Sequence, residues 1–353
     1  MASFDSLTNA DKQNFYQELD PVSLAPLWEV MKGLVPFEPT NKAVPYAWHY
    51  EQMRPLLMKS GELLTAAEAE RRVLVFENPS FRGQSIVNST LYAGIQLILP
   101  GETAPAHKHT AGALRFVLES GGGYTSVNGE RTTMHRGDLV LTPSGTFHDH
   151  GHDGEGPVIW IDGLDVPIVN YFQCGFSAQL DTERQLITKV EGYSGAAFGS
   201  GMAPFESRSP FGSTSPIFSY PYSRARAALL AITESEKPDP HWGYVLKYAN
   251  PLTGDWIMPT MAAWLAYIPD QMITQKYRTT DNQVLVVSEG TVQVDIGDET
   301  FELGQNDVMA LPGWTWRQFH ASEDSVLFFF SDRSAQEKLG IWQEQKGGAE
   351  TQL

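Results

Sequence analysis

Residues 107–116 read HKHTAGALRF and follow a strand-like run, YAGIQLILP, that ends in a Pro-Gly turn. Side chains on an extended chain alternate between faces, so His107 and His109 project from one face and Lys108 from the other. Further on, GDLVLTPSGTFHDHGH carries a Pro143-x-Gly145 turn and then His148, which brings a third imidazole back toward the pair. Three imidazoles converging inside a small β-domain coordinate a divalent metal and leave its other positions to water or substrate. One isolated histidine reads as an ordinary core or surface residue. HxH with a returning histidine reads as a metal site.

Such a site needs short strands to hold it. Residues 9–72 read as helical, with Asn9 or Asp11 able to cap a helix and strong helix formers in ELLTAAEAERRVL. From about 85 the pattern changes to Ser85–Ile86, YAGIQLILP, ALRFVLE, GYTSV, RTTMH, DLVLTP and VIWIDG, with Asn128-Gly129 as a hairpin turn. Residues 176–235 are rich in Gly, Ser and Pro but carry Phe, Met and Tyr, which suits a covering loop. Strand patterns return in MAAWLAYIP, QVLVVSEG, TVQVDIG, DVMALP and SVLFFFS, and RSAQEKLGIWQEQ reads as a helix. Pro100 and Pro269 stand 169 residues apart, as do Pro143 and Pro312, and Glu119 and Glu289 share that offset within a residue. The expectation is an all-β core of two copies of one domain behind a helical N-terminal arm. Its divisions are an arm at 1–84, a metal-binding domain at 85–175, covering loops at 176–235, a metal-free domain at 236–335 and a helical tail at 336–353.

The chain has 353 residues, 42% hydrophobic and 11% aromatic, enough for two domains and a sizeable core. A net charge of −17 argues against nucleic acid or an anionic membrane as the main partner. Cys174 is the single cysteine, which suits a reducing cytosol. The start, MASFDSLTNADKQNFYQELD, lacks a signal-peptide pattern, and no apolar run approaches the roughly 20 residues that span a bilayer. A cytoplasmic location is expected.

The string Gly101-x5-His107-x-His109, then Gly137-x5-Pro143-x-Gly145-x2-His148, resembles the two motifs of the cupin superfamily. The resemblance implies two tandem jelly-roll barrels (a bicupin) with the metal in a barrel mouth. Most metal-binding cupins add a glutamate ligand four or five residues after the second histidine, where this chain has Ala113 and Leu114. That absence, with LYAGIQLILPGETAPAHKHTAGALRF and GDLVLTPSGTFHDHG, resembles the gentisate 1,2-dioxygenase group, which includes ring-cleaving enzymes for salicylate and 1-hydroxy-2-naphthoate. LAPLWEVMKGLVP and AERRVLVFENP extend the likeness over most of the chain. The family implies one iron(II) per chain on His107, His109 and His148, O2 as co-substrate, and a homotetramer. The implied reaction cleaves a 2-hydroxybenzoate ring between its carboxyl- and hydroxyl-bearing carbons.

Within this frame Arg115 lies six residues beyond His109 in the apolar alternation A-L-R-F-V-L, where an unpaired charge would be costly. It is placed to hold a substrate carboxylate. Arg71 supplies a second clamp if the arm reaches the barrel mouth. Arg72 is an equal candidate by spacing, and the family pattern points to Arg71. Gln96 matches a family pocket position and Tyr92 shares its strand face; a satisfied interior Gln and a packing Tyr are the plainer readings. His150 shares the face of His148 and can reach substrate as an acid–base or hydrogen-bonding group. Asp149 or Asp162 can orient a metal-ligating imidazole. His152 can do either, its direction left open by Gly151 and Gly154.

The second copy has Lys276-Tyr-Arg-Thr279 opposite HKH and Arg317 opposite His148, so it is not expected to bind catalytic iron. Gentisate is the default substrate. Lys108, Ala111 and Gly112 leave salicylate, a 5-nitro- or 5-halosalicylate, or 1-hydroxy-2-naphthoate as alternatives. A non-enzymatic bicupin and a different metal-cupin enzyme, such as an isomerase, are the competing classes. The retained histidines and Arg115 speak against the first, and the missing glutamate against the second.

Overall fold

The computed structural model describes residues 9–206 and 211–347. Residues 1–8 of the expected arm, 207–210 of the expected covering loops and 348–353 of the expected tail lie outside the described residues. The chain divides into two compact units, Met1–Thr40 and Asn41–Leu353. In the first, helices α1 (Asn9–Leu19) and α2 (Leu27–Leu34) flank a 3-10 turn at Asp20–Val22. The Tyr16 hydroxyl joins them, donating to Glu29 Oε1 at 2.5 Å and accepting from Trp28 Nε1 at 2.9 Å.

The second unit is mainly β. Its first half carries β1 (Tyr46–Trp48), β2 (Val73–Val75), β3 (Tyr92–Ile98), β4 (Thr103–His109), β5 (Ala113–Glu119), β6 (Gly123–Val127), β7 (Glu130–Thr133), β8 (Leu139–Thr142), β9 (His148–His152), β10 (Val158–Leu164) and β11 (Ser177–Gln179). The second half repeats the order with β12 (Ser219–Tyr220), β13 (Tyr244–Lys247), β14 (Ala262–Ile268), β15 (Tyr277–Thr279), β16 (Gln283–Glu289), β17 (Val292–Ile296), β18 (Glu299–Leu303), β19 (Val308–Leu311), β20 (Arg317–Ala321), β21 (Ser325–Ser331) and β22 (Glu344–Lys346). Helices α3 (Tyr50–Leu63), α4 (Ala66–Ala69), α5 (Val166–Tyr171), α6 (Tyr193–Phe198), α7 (Tyr222–Thr233) and α8 (Arg333–Leu339) connect them. The sheet order β12-β8-β5-β10-β3-β2 faces β11-β4-β9-β6-β7, and β1-β19-β16-β21-β14-β13 faces β18-β17-β20-β15-β22. Each half is a two-sheet jelly roll, as the resemblance implies, and neither pair of sheets closes into a continuous barrel. Among the described residues no helix is long and apolar enough to cross a membrane.

The repeat runs further in both directions than the proline spacing suggests. β1 of the first half pairs with β19 of the second, Ala47 opposite Met309, while β12 of the second pairs with β8 of the first, Ser219 opposite Val140. Each half thus lends a strand to the other. The helix after each lent strand grips a glutamate of its own half. Tyr50 and Arg54 bind Glu119, and Tyr222 and Arg226, at the same i,i+4 spacing, bind Glu289. The shared offset of these glutamates marks the two clamps.

Several local expectations are corrected. The helical pattern over 9–72 is interrupted by β1, whose Tyr46 and Trp48 suit a strand. Ser85–Ile86 is loop, because Ser85 sits at a φ of 56°, which no strand can accommodate. The expected C-terminal helix stops at Leu339, where Gly340 turns left-handed at φ 71°, and Glu344–Lys346 then pairs with β15. The covering stretch contains β11, α6, β12 and the whole of α7. Asn128-Gly129, with φ values of 47° and 76°, forms the expected tight turn between β6 and β7.

Strands β3, β5 and β10 are buried on both faces, and alternation gives each face its own task. Ile95, Leu97, Leu114, Phe116, Ile159 and Ile161 meet Leu265, Val284, Phe328 and Phe330 of the other half in one core. Phe116 stacks on Phe328 with ring centres 4.1 Å apart. The intervening residues Gln96, Arg115, Trp160 and Asp162 turn into the first jelly roll, toward β4 and β9.

Candidate active site

The three histidines meet because β4 is irregular. Thr103 pairs with Gly151 and Ala104 with His150, but the next pair is His107 with His148, so β4 carries one extra residue. In a regular strand His107 would face away from the side that Ala104 shares with His150. The bulge at Pro105 and Ala106 turns it inward. Pro105 has no N–H to leave unpaired, and Ala106 N donates to Glu183 O of the covering segment at 2.8 Å.

The resulting ring centres are 4.2 Å apart for His107 and His148, 5.2 Å for His107 and His109, and 5.0 Å for His109 and His148. One nitrogen from each ring lies within 4.8 Å of the others, and no carboxylate belongs to this cluster among the described residues. His109 Nδ1 lies 2.7 Å from Ala111 O, His148 Nδ1 3.1 Å from Thr146 O, and His107 Nδ1 3.3 Å from Pro105 O. A backbone carbonyl at the Nδ1 of His109 and of His148 leaves their Nε2 atoms to act as ligands, whereas His107 Nδ1 faces both the Pro105 carbonyl and the Arg71 guanidinium. Burial, helped by the Arg71 cation, pushes His107 down to about 3. Burial likewise lowers His109, and holds His148 well below the ordinary imidazole range with help from Arg115. Neutral imidazoles are the metal-binding form, so this donor set fits a divalent transition metal.

Arg115 is buried and lies directly opposite Asp162 across β5 and β10. Its Nε is 3.3 Å from Asp162 Oδ1, near enough for ion pairing but not aligned as a hydrogen bond, and its Nη1 donates to Thr142 Oγ1 at 2.5 Å. Asp162 Oδ1 also accepts from Trp160 Nε1 at 3.0 Å. Burial raises the Asp162 carboxyl to about 6, with Arg115 opposing the rise. Asp162 therefore positions Arg115 and its neighbouring indole, not an imidazole as expected. Asp149 departs from the expectation too. Its Oδ2 accepts from Gln185 N at 3.1 Å and Gln185 Nε2 at 3.0 Å, so it anchors the covering segment.

The two neighbouring arginines separate cleanly. Arg71 Nη2 donates to Pro105 O at 2.6 Å and touches His107 Nδ1, which places its guanidinium at the cluster. Burial lowers it to about 10, with the nearby Arg115 cation adding to the effect. Arg72 turns away to a two-pronged bridge with Glu102 at 2.7 Å and a bond to Leu64 O at 2.6 Å.

His150 stands opposite Thr125 in β6, its Nδ1 2.9 Å from the hydroxyl, and its ring lies 5.8 Å from His148 and 5.3 Å from Trp160. Gln96 is opposite Trp160 and shares its inner face with Gly94 and Tyr92. A Cβ built on Gly94 would come within 3.1 Å of the Tyr92 hydroxyl and would strike Val73. Lys108 keeps to the outer face, 4.8 Å over the Phe147 ring. His152 points away, with Nε2 2.6 Å from Gly156 O and Nδ1 accepting from Gly154 N at 3.0 Å. Sequence reasoning missed Thr125, Thr142, Gly94 and Trp160. Of these, Trp160 had a readable signal, because it alternates with Asp162 in VIWIDG.

A family model described as a Cupin domain matches residues 94–166, which span β3 to β10. Gentisate 1,2-dioxygenase 1 of Aquipseudomonas alcaligenes is 45% identical over 95% of this chain and 96% of its own. The 5-aminosalicylate 1,2-dioxygenase of a Comamonas species is 32% identical over 95% of this chain and 90% of its own. The crystal structure of salicylate 1,2-dioxygenase from Pseudoaminobacter salicylatoxidans, determined as adducts with gentisate, superposes with a TM-score of 0.89 at 31% identity. It covers 98% of this chain and 97% of that one. Shared length, shared fold and a matched cupin core lead to one placement: this chain belongs to the gentisate and salicylate 1,2-dioxygenase family and is a ring-cleaving dioxygenase.

Proposed function

We propose that the chain is an iron(II)-dependent gentisate 1,2-dioxygenase that opens the ring between the carboxyl- and hydroxyl-bearing carbons to give maleylpyruvate. The observation that carries this reading is a cluster of three neutral imidazoles with no carboxylate, flanked by the guanidinium groups of Arg71 and Arg115. Three neutral ligands leave a divalent ion its full charge, and a 2-hydroxybenzoate bound through carboxylate and phenolic oxygen supplies two compensating negative charges. Iron(II) there supplies electron transfer between ring and O2. The protein's own residues bind and orient. Arg115, held by Asp162 and Thr142, receives the substrate carboxylate; Arg71 adds a second cation; Tyr92, Gln96 and His150 meet the ring and its substituents. The 45% identity to a gentisate enzyme favours gentisate.

Salicylate, 5-aminosalicylate and other 5-substituted salicylates form the second reading, favoured by the substrates named for the Comamonas and Pseudoaminobacter relatives. An exposed, unpaired Cys174 suits a cytoplasmic location, and a homotetramer is the assembly the family resemblance implies. Oxygen uptake by iron-loaded protein over gentisate, salicylate, 5-nitrosalicylate and 1-hydroxy-2-naphthoate, with product spectra, tests the reading. Gentisate is expected to give the highest kcat/KM and a maleylpyruvate spectrum; a higher value for another member of the panel would transfer the assignment to it.

A further inference from the structure

Ala111 and Gly112 share one peptide unit, and its two polar ends have different partners. The Ala111 carbonyl lies 2.7 Å from His109 Nδ1, while the Gly112 N–H donates to Asp165 Oδ1 at 2.8 Å. A trans peptide points its C=O and N–H in opposite directions, so one rigid plane joins the imidazole to the carboxylate. The peptide beside His107 ends differently, with Ala106 N donating to the Glu183 backbone carbonyl. Asp165 is buried, and its Oδ2 accepts from Thr260 Oγ1 of the second half at 2.5 Å. Burial raises its carboxyl, and the bonds from Thr260 and Gly112 oppose the rise. The second half also packs on the peptide itself, because a Cβ built on Gly112 would lie 2.9 Å from Met258 Cε.

The duplication supplies an internal comparison. Asp165 follows β10, and Asp332 follows β21. Asp332 Oδ1 accepts from Asn282 N at 2.8 Å, and its Oδ2 accepts from Thr90 Oγ1 of the first half at 2.6 Å. Each aspartate thus binds a turn of its own half and a threonine of the other. Each also donates its backbone N–H back to that turn at 3.4 Å, Asp165 to Gly112 O and Asp332 to Asn282 O. Bonds that served only to join the halves would be equivalent. These differ at the far end of the peptide. His107 pairs with His148 and Tyr277 with Arg317, so Thr279 stands where the first half has His109. Of the two aspartates, only Asp165 is linked to an imidazole of the cluster.

We propose that Asp165 is a positioning residue for the metal ligand His109, acting through the Ala111–Gly112 peptide, and that Thr260 brings the metal-free half into the metal site. The inference rests on the reading of the histidine cluster as the iron(II) site. An N–H bonded to a carboxylate polarises its peptide and makes the Ala111 oxygen a stronger acceptor. That bond keeps the proton on His109 Nδ1, fixes the ring and leaves Nε2 more electron-rich. The cluster has no carboxylate of its own, and the relay brings the influence of one to it.

The test uses full-length protein loaded with iron(II) under anaerobic conditions. Its readouts are iron(II) affinity in competition with a chelator and the electron paramagnetic resonance spectrum of the nitric oxide complex. Asp165→Asn keeps the shape and removes the charge; it should weaken iron(II) binding about tenfold and shift the spectrum. Thr260→Val leaves the carboxylate in place without its second bond, and should move both readouts the same way by less. Asp332→Asn and Thr90→Val make the same changes in the other link and should leave both readouts as they are, whereas a merely structural role would move the two pairs alike. Equal losses in both pairs, or unchanged affinity and spectrum in Asp165→Asn, would overturn the proposal. If Asp165→Asn does not fold, Thr260→Val against Thr90→Val decides by the same criterion. Unchanged readouts in Thr260→Val beside altered ones in Asp165→Asn would overturn the part given to the second half. Unaltered protein that takes up no iron(II) would refute the iron reading itself, and this inference with it.

Discussion

At the scale of single residues, the pairing of Arg115 with Asp162 changes how a substitution at Arg115 must be read. Removing one partner of a buried ion pair strands the other, typically at a cost of about 3–5 kcal/mol. Arg115→Ala is therefore expected to lower stability, and the double variant Arg115→Ala, Asp162→Asn to recover much of it. Both should keep near-normal iron and lose at least ~100-fold in kcat/KM, about 2.7 kcal/mol of transition-state binding. Thermal unfolding, iron content and kinetics check this; a double variant with restored turnover would remove Arg115 from substrate binding. Specificity gives a second residue-scale outcome. Gln96 and His150 face the interior while Lys108 lies outside over Phe147. Apolar replacement of Gln96 or His150 should re-rank gentisate, salicylate and 5-nitrosalicylate by kcat/KM, and replacement of Lys108 should not.

At the scale of elements, the sequence was most informative where neighbours in sequence are neighbours in space. HxH, the Pro143-x-Gly145 turn and Asn128-Gly129 are local signals, and the three imidazoles they position do meet. The partners of Asp149 and Asp162 were not legible, because Gln185 comes from a covering segment with no period and Arg115 from a register set by strand pairing. The bulge at Pro105 was equally hidden, although a proline in a strand marks such an irregularity. The choice between Arg71 and Arg72 needed Glu102, whose approach depends on the turn after β3. The covering segment yields its own prediction. Gln185→Ala removes two side-chain bonds to backbone carbonyls, one to the buried Asp149 and one accepted from Gly129 N, at a cost on the order of 2 kcal/mol. Limited proteolysis should then cut sooner between 180 and 190 while iron content holds; unchanged cleavage would mean that the segment is anchored elsewhere.

At the scale of the whole molecule, the duplicated fold divides labour. One half carries the cluster, and the two lent strands and the shared apolar core hold the halves together. Asp332 sits at their junction, fully buried, accepting from Thr90 Oγ1 of the first half at 2.6 Å and from Asn282 N at 2.8 Å. Burial, reinforced by Asp281, raises its carboxyl to about 6. A folded-state value above the unfolded one means that the charged form weakens the fold at pH above 6. That penalty is relieved as pH falls from about 6 toward the unfolded value near 3.9. Asp332→Asn should therefore stabilise the chain more at pH 8 than at pH 5, by a difference of about 1.4 kcal/mol read from unfolding at the two pH values; a larger gain at pH 5 would contradict the assignment. The most direct test of the central claim is diffraction at the iron edge from iron-loaded protein crystallised anaerobically with gentisate. The account predicts one iron per chain on His107, His109 and His148, with the substrate carboxylate against Arg115. Iron in the second half, or a protein carboxylate among its ligands, would contradict it.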